Sequence, residues 1–186
     1  SLDCTFCATG KLTRVRNLSA GEIVDQVWEI AALAQEHFKR PLTNIVYMGM
    51  GEPLLNYANT MRSAERINAE DGLGMSYRRI TVSTAGIAKL IRQLGDDGAK
   101  FNLALSLHAA TDEKRSSMMP INETNSLSEL MEALRHYTRL TRKDVTFEYI
   151  LFRDLNDSME DARDLVRLCS RVDAKVNLIE YNTTDD

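Results

Sequence analysis

The sequence predicts an α/β fold, a partial (βα) barrel with a parallel sheet and helices outside it. Two patterns predict it. Apolar, β-branched runs alternate with amphipathic runs, giving helix then strand five times over. Each strand is separated from the next by a helix long enough to cross over, which is what parallel pairing requires. A closed barrel needs eight strands, so five predict an open or partial one. A third observation concerns function: the polar residues of interest fall where the strands end.

The first helix is expected over Ala20 to His37, with Ser19 and Glu22 at capping-box spacing and Ile23, Val27, Ile30 and Ala34 on one face. A short strand follows over Asn44 to Met48, then a helix from Tyr57 to Ala69. Arg79 to Ser83 reads as a strand, and Ile87 to Leu94 as a helix stopped by Gly95. Phe101 to Leu107 is a strongly apolar strand running into His108. Ser126 and Glu129 repeat the capping box before a helix over Leu127 to Leu140. Val145 to Phe152 is a strand, Ser158 caps a helix to about Arg171, and Lys175 to Tyr181 is the last strand, running into Asn182. The first helix has no strand before it, so one more strand is expected upstream. No linker or repeat divides the chain, and residues 1–186 read as a single domain.

The 186 residues, 44% hydrophobic and 27% charged, are those of an ordinary globular protein. No apolar run is long enough to span a bilayer, and no charged-then-apolar leader opens the sequence. Ser1 is not an initiator methionine, so the natural N-terminus is expected further upstream. The net charge of −4 argues against a dedicated nucleic-acid-binding domain. A local basic cluster, Lys11, Arg14 and Arg16, reads either as a solvated loop or as a phosphate contact. Three unevenly placed cysteines are too few for a disulfide framework and point to a reducing, cytoplasmic setting. Cys169, among Leu165, Val166 and Leu168, reads as a small core residue.

Cys4-Thr5-Phe6-Cys7 is a C-x-x-C. Its spacing alone fits half a zinc site, a redox pair, two iron–sulfur ligands or an inert loop. Zinc needs two further ligands, and the sequence holds no second C-x-x-C and no paired histidines. Gly49-Met50-Gly51-Glu52-Pro53 follows the first strand. Glycine there lets a ligand approach the backbone, Pro53 keeps Glu52 extended, and a carboxylate with nearby carbonyls suits an ammonium group. The same letters also make an ordinary strand-to-helix turn. Ser83, Ser106 and His108 bring hydroxyls and an imidazole to strand ends, although His108 taken alone reads sooner as a satisfied, half-buried histidine.

SLDCTFCATG resembles the cluster loop of radical S-adenosylmethionine (SAM) enzymes, C-x-x-x-C-x-aromatic-C. Ser1, Leu2 and Asp3 match its spacers, Cys4 and Cys7 the second and third ligands, and Phe6 the aromatic. The first ligand is expected immediately before Ser1. MGMGEP resembles the family's G-G-E-P element. CTFCATG, GEIVDQV, YMGMGEPLLN, ITVSTAG, LALSLHA and MPIN occur in the order found in one branch, the enzymes that methylate C2 of an adenine in large-subunit ribosomal RNA and in tRNA.

The resemblance implies a radical SAM barrel and a [4Fe-4S] cluster on Cys4, Cys7 and the upstream cysteine. It implies SAM contacts at Phe6, Gly51, Glu52, Ser83, Ser106, Leu107, His108 and Asn182. Polar methyl transfer fails at a non-nucleophilic ring carbon, and the radical cofactor supplies that chemistry. The branch also uses two working cysteines, one upstream of the cluster loop and one in a C-terminal extension. Neither falls in this sequence, so turnover is expected of the longer protein, with 23S rRNA and tRNA as partners and an electron donor such as flavodoxin. Other readings are a C8-adenine methyltransferase, another radical SAM enzyme, a non-catalytic binding domain on a partial barrel, and a zinc-dependent fold.

Overall fold

A computed structural model describes residues 2–182, except for the side chain of Lys11. Five strands, β1 (Ile45–Tyr47), β2 (Ile80–Thr84), β3 (Asn102–Ser106), β4 (Val145–Leu151) and β5 (Ala174–Glu180), form one open sheet in the order β1-β2-β3-β4-β5. Every pairing is parallel, with Val82 against Leu103, Leu105 against Phe147 and Tyr149 against Leu178. All five strands therefore end at the same edge of the molecule. This is the parallel α/β architecture expected, reached by crossover helices between sequential neighbours.

The helices are α1 (Ala20–Phe38), α2 (Tyr57–Asn68), α3 (Ala88–Asp96), α4 (Asp112–Met118), α5 (Leu127–Thr141) and α6 (Met159–Cys169). Both expected capping boxes are formed, Ser19 with Glu22 and Ser126 with Glu129, and Ser158 with Asp161 makes a third. The core joins Ile67 of α2, Ile91 and Leu94 of α3, and Leu130, Leu134 and Tyr137 of α5 to Val82, Leu103, Leu105 and Phe147 of the sheet. Each such side chain contributes about 1.5–3 kcal/mol by leaving water.

Three local expectations are corrected. The first is α4, which the alternation of helix and strand passed over. Thr111 caps it, accepting from the Lys114 N–H, and Asp112 and Glu113 complement its N-terminal dipole. The second is Gly95, which does not stop α3. A Cβ there would lie 3.1 Å from the Tyr137 Cα, so the glycine permits close approach of α3 to α5. The third concerns α1, where Ile30 is 51% exposed, while Val24 and Val27 pack against the core. The face that packs therefore includes Val24 and leaves out Ile30.

Candidate functional site

The strand ends carry the polar residues singled out above. Past β1, Gly51 has φ of +92°, where glycine is favoured, and a Cβ there would meet nothing within 4 Å. Glu52 is extended (φ −112°, ψ 112°), as its following proline requires. Its carboxylate accepts from the Ala85 N–H at 2.7 Å and the Leu54 N–H at 3.0 Å, clamping the end of β1 to the end of β2. Burial pushes this carboxyl up from its ordinary range, opposed by bonds from Ala85, Leu54 and the Thr84 side chain.

Ser83 and Ser106 stand side by side on β2 and β3, with hydroxyl oxygens 3.5 Å apart. Gly86 follows at φ of +101°, and a Cβ there would press within 3.0–3.1 Å of Leu105 and Leu130. A side chain at that turn would displace the strand ends. Leu107 is fully buried in the core. Its N–H donates to the Glu148 carbonyl, and its own carbonyl accepts from Arg115 Nε. Any ligand contact at Leu107 would have to compete with those bonds.

His108 is 4% exposed, with a left-handed backbone (φ 56°) that costs a non-glycine residue about 1–3 kcal/mol. Three bonds from the β4 side hold it. Its N–H donates to the Glu148 carbonyl, its carbonyl accepts from Asn156 Nδ2 at 2.6 Å, and its Nδ1 accepts from the Ile150 N–H at 3.1 Å. With Nδ1 accepting, the neutral ring carries its proton on Nε2. Burial first, and the nearby Arg115 second, push its pKa down to about 3, so the imidazole is uncharged near neutrality.

The cysteine loop lies against this rim. The Thr5 N–H donates to the carbonyl of Met118, the last residue of α4, at 3.0 Å. Cys4 and Phe6 pack with Ala85, Ala109, Met118 and Met119. The Phe6 ring meets the His108 ring edge-on at 5.0 Å, then Phe152 at 5.5 Å, and Phe152 meets Tyr181 at 4.7 Å. This aromatic row runs from the loop to the end of β5. Asn182, next in the chain, is exposed and donates weakly to the Glu180 carbonyl at 3.5 Å.

Cys4 and Cys7 are free, partly buried thiols in one turn, with the Cys7 N–H donating to the Cys4 carbonyl at 3.2 Å. Burial raises the Cys4 thiol, and Arg115 opposes that rise. Among the described residues no three His, Cys, Asp or Glu side chains are grouped to hold a metal. The donors present fit two thiolate ligands of a cluster and do not fit a closed four-ligand zinc site. Of the basic cluster, Arg16 is paired with Glu22 at 2.5 Å and Arg14 donates to Asn17, while the side chain of Lys11, like Ser1, lies outside the described residues. Cys169 packs against the core as expected.

The sequence reading missed Arg115, Asn122 and Asn156, which assemble the rim. Asn156 is 1% exposed, bonds the His108 and Ile150 carbonyls through Nδ2, and accepts from the Phe152 N–H. Asn122 accepts from Arg115 Nη1 at 2.7 Å. Asn122 lies in MPIN, whose letters carry a family resemblance but no local sign of a guanidinium acceptor, and nothing local marks Asn156. A cavity of about 660 Å³ lined by Arg139, Lys143 and Asp173 lies at the opposite ends of the strands, away from this rim.

The site and sheet together define a class. The sequence matches the radical SAM superfamily over residues 1–166, and the chain belongs to that family. A probable dual-specificity RNA methyltransferase RlmN from Christiangramia forsetii is 55% identical over the whole chain, which covers 53% of that relative. The crystal structure of a radical SAM methyltransferase from Sphaerobacter thermophilus superposes with a TM-score of 0.94 at 46% identity, covering 98% of this chain and 53% of that one. Streptococcus suis SuiB bound to S-adenosylmethionine shares the fold, with a TM-score of 0.61 at 14% identity over 100% of this chain and 38% of that one. The chain spans about half the length of the curated relatives it matches.

Proposed function

We propose that this chain is one domain, the radical SAM core of a longer enzyme that methylates C2 of an adenine in 23S rRNA and in tRNA. The observation that carries the reading is the meeting of Cys4 and Phe6 with Ala85, His108 and Met118 at the strand ends that also bear Glu52, Ser83 and Ser106. The Christiangramia forsetii relative's name supports RNA as the substrate.

Cys4 and Cys7 would supply two thiolates to a [4Fe-4S] cluster, with a third from upstream of Ser1. With SAM, such a cluster supplies a carbon-centred radical on one-electron reduction, from a donor such as flavodoxin in the cytoplasm. The chain's own residues bind and orient. Ser83 and Ser106 offer paired hydroxyls for the carboxylate or ribose of SAM. Glu52 holds two strand ends in place and keeps acceptor capacity beyond its two backbone bonds. Gly51 leaves open space for a close backbone contact. His108, held neutral, presents an Nε2–H donor, Phe6 covers it, Leu107 fixes the spacing between Ser106 and His108, and Asn182 closes the row at β5. Arg14 and Lys11 would meet RNA phosphates, with Arg16 shared between phosphate and Glu22.

The test is anaerobic reconstitution of the full-length protein, with iron counting, detection of 5′-deoxyadenosine and mass spectrometry of the product nucleosides. Cluster-dependent 5′-deoxyadenosine with 2-methyladenosine is expected. 8-Methyladenosine would move the reading to the C8 enzyme, and no cluster and no SAM binding would leave a binding domain. Reversing the charge of Lys11, Arg14 and Arg16 together should weaken RNA binding and flatten its salt dependence; unchanged binding rejects that contact.

A further inference from the structure

Arg115 is fully buried, and among the described residues every acceptor of its guanidinium is a neutral oxygen. Nη2 donates to the Ala85 carbonyl at 2.5 Å and the Ser106 carbonyl at 3.1 Å, Nε to the Leu107 carbonyl at 3.2 Å, and Nη1 to Asn122 Oδ1 at 2.7 Å. A buried cation that serves only to brace carbonyls is a costly choice, because its desolvation is recovered only when opposite charge stands near. Among the described residues no carboxylate bonds it directly; Asp112 bears on it only through Asn122, whose Nδ2 donates to Asp112 Oδ1 at 2.9 Å. One helical turn on, Met118 holds the cysteine loop through Thr5, and the Cys4 side chain packs on Met118 and Met119. The guanidinium thus lies close enough to the loop for it and Cys4 to act on each other, and beside Asp112 the loop is the other place from which negative charge can reach it.

We infer that Arg115 is a positioning residue whose buried charge, bonded directly only by neutral oxygens, compensates a thiolate-held cluster at Cys4 and Cys7 and raises that cluster's reduction potential. This rests on the cluster reading above. A thiolate-held cluster is anionic and gains a further negative charge on reduction. A fixed cation in a low-dielectric interior favours the reduced form, and its field there is little screened. A bracing role alone predicts no such effect, because it depends on the fork of hydrogen bonds and not on the charge.

Two variants of the full-length protein separate charge from fork. Arg115→Lys keeps the charge and loses the planar fork, whereas Arg115→Met keeps comparable apolar bulk and loses both. Both should lower the unfolding temperature of the cluster-free protein. In a redox titration followed by electron paramagnetic resonance, Arg115→Met should be about tenfold harder to reduce, a shift of about −59 mV for one electron. Arg115→Lys should stay near wild type. Should Arg115→Met fail to take up the cluster while Arg115→Lys takes it up, the same conclusion follows. An unshifted potential in Arg115→Met, a shift shared equally by both variants, or equal loss of the cluster in both overturns the inference. A wild-type protein with no [4Fe-4S] signal fails the cluster reading instead.

Discussion

The middle of the sheet and its two edges are built differently. Most residues of β2, β3 and β4 are buried, whereas β1 holds none that is and β5 shows Val176 and Leu178 to solvent at 39% and 59% exposure. The helices follow suit. Central α5 buries six side chains, while α1, longer by four residues (19 against 15), buries none. The strained, charged and hydroxyl-bearing rim residues, His108, Arg115, Ser83 and Ser106, all stand over the middle. The lesson concerns preorganisation: groups that must hold a fixed position, including a left-handed histidine and a buried guanidinium, need a rigid backing, and only the middle supplies one. The cysteine loop is tied to that middle by Thr5, Phe6 and the side chain of Cys4.

The largest expected effect tests how firmly the middle holds His108. Its pKa in the folded chain is about 3, against an ordinary 6.5. A depressed folded value means that the unfolded chain takes up the proton first. This contribution is therefore complete above about pH 6.5 and is lost as pH falls toward 3, in total roughly 4–5 kcal/mol. Urea unfolding of wild type and His108→Gln across that window should show a steeper fall in wild type than in the variant, on top of the slope that carboxylates such as Glu22 give to both. Parallel profiles would mean that the rim opens to water.

Next in size, Phe147→Ala in β4 should cost about 3–5 kcal/mol, because it leaves a cavity in a packed core, while Leu178→Ala in β5 should stay within about 0.5 kcal/mol. Similar losses at the two sites, measured by thermal or urea unfolding, would break the contrast between middle and edge. Smaller again, Asn156→Ala leaves the carbonyls of His108 and Ile150 without their shared donor. It should cost about 1–3 kcal/mol and shift the nuclear magnetic resonance signals of the His108 ring. The smallest effect sharpens the comparison. Ser126→Ala and Ser19→Ala each remove a capping box worth about 1 kcal/mol. Hydrogen exchange should report the first as a loss of global stability through α5, and the second as fraying confined to the start of α1.

Much of this was legible in the sequence, for local physical reasons. Period-2 and period-3.6 apolar patterns survive folding, as do capping boxes, so the five strands and all helices but α4 were expected within a few residues. The C-x-x-C and the Gly51-Glu52-Pro53 turn are also local, and their letters identified the family that the matched residues later bore out. Helix α4 was missed because DEKRSSM has no apolar periodicity; it is held by a buried arginine and by the Lys114–Asp161 pair at 2.6 Å rather than by a hydrophobic face.

The sequence by itself determined the alternation of elements, their parallel arrangement, and the chemical types gathered at the strand ends. Tertiary structure alone decided which of those groups are already engaged. Glu52 is bonded across to Ala85, Leu107 is locked between Glu148 and Arg115, and His108, kept neutral by burial, takes the Ile150 N–H on its Nδ1 from 42 residues away. Spacing along a chain records side-chain type and backbone period. Burial, protonation and the partner of a hydrogen bond depend on what the fold brings from elsewhere, and those are what separate a brace from a ligand.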